Sequence, residues 1–206
     1  MNTTNTKHVA LALTGASGAQ YGVRLLEQLL AAGVHVSLML SKPAQVVIGT
    51  ETDLRLPARD GDIQKFFAEM FNAGNGQLRV YGKEQWTAPI ASGSSAPDAM
   101  VICPCTTATL SAVAGGASRS LIERGADVML KERRKLIIVP RETPFSEIHL
   151  DNMLKLARMG VVVLPANPGF YHQPKNVQDI VDFIVARVLD HLDVDHELVP
   201  RWANAD

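Results

Sequence analysis

The chain has 206 residues, 47% of them hydrophobic and 20% charged, with a formal net charge of −1. This is the make-up of one globular domain, not of a disordered segment, and the near-neutral balance gives no electrostatic case for nucleic acid or an anionic membrane surface. No apolar run approaches the ~20 residues that span a bilayer, and the short run after Lys7 passes straight into a glycine turn, which argues against a signal peptide.

Residues 1–7 are polar and expected to be disordered. Val9–Leu13 reads as a buried strand, followed by the small-residue turn Thr14-Gly15-Ala16-Ser17-Gly18 and a helix over Gln20–Leu30 that ends at Gly33. Such a strand–turn–helix is a ready anion site, because the first-turn N–H groups have no intrahelical partner. Val34–Leu40 is a second strand, completing a βαβ unit. Ser41-Lys42-Pro43 starts a further helix with proline near its first position.

Asp62–Asn72 carries Ile63, Phe66, Phe67, Met70 and Phe71 at helical spacing. Ala73 to Ser95 is rich in glycine and reads as loop, with Trp86 inside it. Ala99–Cys103 is a third strand, ending at Pro104, and Thr106 and Thr107 offer a cap for a helix over Leu110–Ala114. A helix over Leu121–Arg134, a fourth strand at Leu136–Val139, a helix over Ser146–Met159, a fifth strand at Val161–Leu164 and a last helix to about Leu192 follow. Apolar runs without alternation belong to sheets covered on both faces. The expected fold is therefore α/β: a doubly wound, open parallel sheet in three layers, Rossmann-like, as a single domain over 8–194 with a tail at 195–206.

Cys103 and Cys105 sit too close along a strand end to favour a bridge and read as buried thiols, which fits a reducing, cytoplasmic setting. The six histidines show no metal-ligand spacing, so no metal is assigned.

Ligands of doubly wound sheets bind outside the carboxyl ends of the strands. Those ends supply Gly15, Ala16 and Ser17; then Ser41 and Lys42; then Thr106, Thr107, Ala108 and Thr109; then Arg141 and Glu142; then Asn167 and the loop carrying Tyr171. Hydroxyls, helix N-termini and a charge pair on one rim favour a phosphorylated ligand. Tyr171 and Lys175 imitate a short-chain dehydrogenase pair, but Pro174 lies between them and no acid ends the second strand. FMN, with a single phosphate, suits the residues better. Glu142, between Pro140 and Pro144, is placed to shuttle a proton, and Arg141 to bind phosphate. By themselves Arg124 and Lys131 read as a solvated basic stripe, Glu51 as unremarkable, and Trp86 and Tyr171 as packing residues.

Several strings together resemble the UbiX-type flavin prenyltransferases: Leu13-Thr-Gly-Ala-Ser-Gly-Ala-Gln-Tyr-Gly22, Glu51-Thr52-Asp53, Lys131-Glu-Arg-Arg134, Arg141-Glu-Thr-Pro144 and Phe170-Tyr-His-Gln-Pro174. The resemblance implies a metal-independent transfer of a dimethylallyl group from dimethylallyl phosphate to N5 and C6 of reduced FMN. The product, prenylated FMN, would serve a UbiD-type decarboxylase in ubiquinone biosynthesis. It also implies flavin contacts by Gly15, Ala16, Ser17, Ser41, Thr106–Thr109 and Arg141, and prenyl-phosphate contacts by Tyr171 and Arg187. Lys131, Arg124 and Glu51 would converge from neighbouring subunits of a homo-oligomer, a dodecamer in this family. Glu142 would move protons, and Trp86 would offer a π-face to an allylic cation. Alternatives are an FMN-dependent decarboxylase, against which the absence of histidine between His35 and His149 counts, and a non-catalytic FMN-delivery protein.

Overall fold

The computed structural model describes residues 6–200. The chain runs β1 (His8–Leu13), α1 (Ala19–Ala31), β2 (His35–Leu40), α2 (Lys42–Glu51), α3 (Asp60–Met70), β3 (Leu78–Tyr81), β4 (Ala99–Cys105), α4 (Thr107–Ala114), α5 (Leu121–Lys131), β5 (Lys135–Pro140), α6 (Glu147–Arg158), β6 (Val162–Val163) and α7 (Val177–His191). All strand pairs are parallel, in the order β3-β2-β1-β4-β5-β6.

The two-residue period of each strand divides its side chains between two cores. Val9, Leu11 and Leu13 of β1 pack with Val36 and Leu38 of β2 against α1 and α7. Ala10 and Ala12 face the other way, with Met100, Ile102 and Ile138, against α4 and α5. Each fully buried leucine or isoleucine contributes about 1.5–3 kcal/mol relative to exposure. Gly22 sets the seat of α1: a Cβ there would lie 2.4 Å from the Cys103 carbonyl oxygen. The helix therefore rests on the β4 backbone, and any side chain would lift it off.

The doubly wound α/β architecture is as expected from the sequence, and four differences have physical reasons. A sixth strand, β3, lies within the stretch read as loop; it is a four-residue edge strand with only Leu78 fully buried. β4 continues through Pro104 to Cys105, and all seven of its residues are buried. The helix expected to reach Arg134 ends at Lys131, because Arg133 takes a left-handed φ of 53°. The helix expected from Asp62 begins at Asp60. Residues 1–5 and 201–206, which hold most of the N-terminal segment expected to be disordered and half of the expected tail, lie outside the described residues. Lys7 bonds to the Leu192 carbonyl, and Val194 and Leu198 pack on the α7 side of the sheet.

Candidate active site

β1 connects through α1 to β2 on one side, while β4 lies on the other, so the sheet changes direction between β1 and β4 and opens a crevice there. Thr14, 3% exposed, stitches the two strand ends: its hydroxyl donates to the Pro104 carbonyl at 2.8 Å and accepts from the Thr106 N–H at 2.8 Å. Two expected ligand hydroxyls act as helix caps. Thr106 accepts from Thr109 N–H at 3.1 Å, and Ser41 from Ala44 N–H at 3.1 Å. Their helices thereby present first-turn N–H groups, including those of Thr107 and Ala108, at the rim.

Between these ends lies a cavity of about 390 Å³. Thr14, Ser41 and Thr109 line it, Met39, Leu121 and Ile122 give it apolar walls, and Lys42, Lys83 and Arg119 make it basic. Lys83 is brought here because its carbonyl accepts the Leu121 N–H at 2.8 Å, tying the turn after β3 to the start of α5. An apolar body beside hydroxyls, helix N-termini and cations fits an aromatic ligand carrying a phosphate, and FMN has that chemistry.

The turn read as an anion site holds an anion of its own chain. Gly18, at φ 99°, opens α1, and Glu51 Oε2 accepts from the N–H groups of Gly18 at 2.8 Å and Ala19 at 3.0 Å. Burial alone would raise the Glu51 carboxyl. Hydrogen bonds from the Ser17 hydroxyl and from Gly18 and Ala19, with the Arg141 charge nearby, outweigh burial and hold it below its ordinary value of 4.5. Arg141 Nε donates to the Ser17 carbonyl at 3.1 Å, closing a Glu51–Ser17–Arg141 cluster with Glu142 next to it. The mouth of α1 is thus filled by Glu51 of the same subunit, which takes the N–H groups of Gly18 and Ala19 and the Ser17 hydroxyl.

A second group surrounds α5. Arg124 Nε donates to the Ala91 carbonyl at 3.0 Å and Nη1 to Asp127 at 2.8 Å, while Lys131 pairs with Glu132. Trp86, 48% exposed, lies in the segment between β3 and β4 that also carries Ala91. A third group stands on α7 and the loop before it. The Tyr171 ring meets Phe183 edge-on at 5.8 Å, and His172 stacks on Phe183 at 5.3 Å with both ring nitrogens shielded and unbonded. Arg187 lies on the same helix and lines a cavity with Tyr171. The expected residues thus fall into three groups within one subunit.

Cys103 and Cys105 are buried, and burial pushes both thiols far up, leaving them protonated and unreactive. Among the described residues no cluster of three metal-ligating side chains occurs, and no helix is long and apolar enough to cross a membrane.

A family model described as Flavoprotein matches residues 1–189. The flavin prenyltransferase UbiX of Pseudomonas aeruginosa is 59% identical over 196 residues, covering 95% of this chain and 94% of its own. The chain belongs to the flavin prenyltransferase family. Among solved structures, AnUbiX (PadA1), in complex with FMN and dimethylallyl pyrophosphate, superposes with a TM-score of 0.86 at 38% identity, covering 98% of this chain and all of that one. A dodecameric FMN-dependent UbiX-like decarboxylase from Escherichia coli O157:H7 gives 0.83 at 40% identity, covering 96% of this chain and all of its own.

Sequence reasoning missed Lys83 and Arg119 at this cleft. Leu78-Arg79-Val80-Tyr81 alternates between Gly76 and Gly82, which was the available sign of β3 and hence of Lys83 as a strand-end residue. Arg119 stands one residue before the Ser120 cap of α5, a second helix mouth on the same cleft.

Proposed function

We propose that the chain transfers the dimethylallyl group of dimethylallyl phosphate to reduced FMN: N5 bonds to the carbon that loses inorganic phosphate and gives up its proton, then the prenyl double bond takes up a proton and its other end bonds to C6, which loses its own. The observation that carries this reading is the 59% identity to a flavin prenyltransferase over 95% of the chain, with the expected polar residues retained at the carboxyl edge of the sheet. When bound, reduced FMN supplies nucleophilic N5 and C6. The chain's own residues do the rest. Ser41, Thr106–Thr109 and Gly15–Ser17 hold the flavin, Arg141 steadies its rim, and Tyr171, Arg187, Arg124 and Lys131 surround the departing phosphate. Their positive charge and donors stabilise the leaving group as the carbon–oxygen bond breaks and its electron pair goes to phosphate. Glu142 takes the C6 proton and returns one to phosphate, and the Trp86 face steadies the allylic cation by about 0.5–2 kcal/mol.

The three groups belong to one site only if subunits contribute to each other, so a homo-oligomer, a dodecamer, is part of the proposal. Exposed Ile148, Leu150 and Leu154 on α6, with Phe170 and Val177, provide apolar surface for such contacts. Prenylated FMN would pass to a UbiD-type decarboxylase in ubiquinone biosynthesis, in the cytoplasm, where buried free thiols persist. The test loads the protein with FMN, reduces it without oxygen, adds dimethylallyl phosphate or pyrophosphate in separate arms, and follows phosphate release with flavin mass. A flavin of increased mass supports the transferase. An unchanged flavin with carbon dioxide released from a carboxylic acid substrate would favour the decarboxylase reading.

A further inference from the structure

The stretch after α7 was expected to be a tail, yet it completes the wall of the cavity beside Tyr171 and Arg187. Asp190, Val194, His196, Val199 and Pro200 line that cavity, which measures about 620 Å³. A chain of hydrogen bonds runs from the segment to Arg187. The Leu198 N–H donates to His196 Nδ1 at 3.3 Å, which leaves the His196 proton on Nε2. His196 Nε2 donates to Asp190 Oδ1 at 3.2 Å, and Asp190 Oδ2 accepts from Arg187 Nη1 at 2.6 Å. Exposure falls along this chain, from 50% for the Arg187 side chain to 34% for Asp190 and 9% for His196. The buried imidazole fixes the carboxylate, and the carboxylate fixes one edge of a guanidinium that otherwise has many rotamers. Among the described residues nothing bonds to Nε or Nη2 of Arg187, so that edge stays open for a phosphate in fork geometry.

We propose that Asp190 and His196 are positioning residues for Arg187, holding its open edge toward the phosphate of the prenyl donor. The segment 194–200 is on this account part of the substrate site. The inference rests on the reading of Arg187 as a prenyl-phosphate ligand. Of the acids that line the cavity, Asp190 is held by Arg187 and His196 and Asp193 pairs with Lys135 at 2.9 Å, while Asp195 stands beside them. A second carboxylate oxygen bonded to an imidazole N–H is the device that orients ligating side chains elsewhere.

The test compares wild type with Asp190→Asn, His196→Ala, His196→Gln and Arg187→Ala, each as the full chain loaded with FMN. Two readouts are used: calorimetric binding of dimethylallyl phosphate to the oxidised, unreactive form, and KM against kcat after reduction. Loss of one ordered side chain corresponds to about a three- to tenfold weakening. His196→Ala and Asp190→Asn should raise Kd and KM by that factor with kcat within about twofold. His196→Gln, whose amide can still donate to Asp190, should recover most of the affinity. In the Arg187→Ala background, His196→Ala should add nothing further. Unchanged Kd in His196→Ala and Asp190→Asn, alongside a large loss in Arg187→Ala, would overturn the positioning role alone. An Arg187→Ala protein that binds the prenyl phosphate as well as wild type would overturn the phosphate-ligand reading and the inference with it. If His196→Ala melts early, His196→Gln and Asp190→Asn decide by the same Kd comparison.

Discussion

Replacing Glu51 separates a structural anion from a ligand-binding one. Its carboxylate accepts from two first-turn N–H groups at 2.8 and 3.0 Å, 33 and 32 residues away in sequence. Loss of an ordinary N-cap costs about 1 kcal/mol, and hydrogen bonds to a charged acceptor contribute about 1.5–3 kcal/mol when well buried. Glu51 is half-buried, so Glu51→Ala should cost about 1–2 kcal/mol at neutral pH. At a fixed protein concentration that lowers Tm by about 2–8 °C for a domain of this size. Glu51→Gln keeps an acceptor without the charge and should lose about half as much. The sign with pH follows from the depressed carboxyl. A carboxylate whose folded value lies below its unfolded one stabilises the protein above the unfolded value, near 4.5, and loses that contribution as pH falls through the folded value. Melting curves from pH 7 down to pH 3 should therefore show wild type and Glu51→Gln converging as acid is added. A constant gap across that range, or no gap at pH 7, would refute the assignment of Glu51 as the cap of α1.

Other outcomes follow from the same geometry. Glu142→Gln should retain FMN and slow phosphate release by about 10²–10⁴ in stopped-flow assays, the range for a lost acid–base group. Arg119→Ala and Lys83→Ala should each weaken FMN about three- to tenfold in fluorescence titration, with a smaller effect on riboflavin, because each removes a cation suited to the phosphate. Gly22→Ala should destabilise by about 1–3 kcal/mol or more in denaturant melts, since the added methyl meets the Cys103 carbonyl. Thiol labelling of the folded protein should leave Cys103 and Cys105 unmodified, because burial keeps both protonated.

The strands that carry the site were legible because they are buried on both faces. Val9–Leu13, Ala99–Cys103 and Leu136–Val139 read as apolar runs. Helix starts were equally local: Ser41 and Thr106 each precede their helix, and Ser146, read as the first residue of its helix, is its cap. The misses are non-local or weakly patterned. β3 has one fully buried residue and pairs with a single strand, so its hydrophobic signal is thin. The glycine turn was readable as an anion site, but nothing nearby in sequence says that the anion is Glu51, which arrives from the far end of α2. The partnership of Arg187 with Asp190 follows helical spacing, whereas His196 reaches Asp190 only because the chain folds back after α7.

The central claim is that the flavin is a substrate of this chain. Its most direct test is the mass of flavin extracted after anaerobic incubation of the reduced, FMN-loaded protein with dimethylallyl phosphate. The account predicts FMN enlarged by one C5H8 unit, with one phosphate released for each flavin changed. FMN recovered unaltered, with no phosphate released, would contradict it.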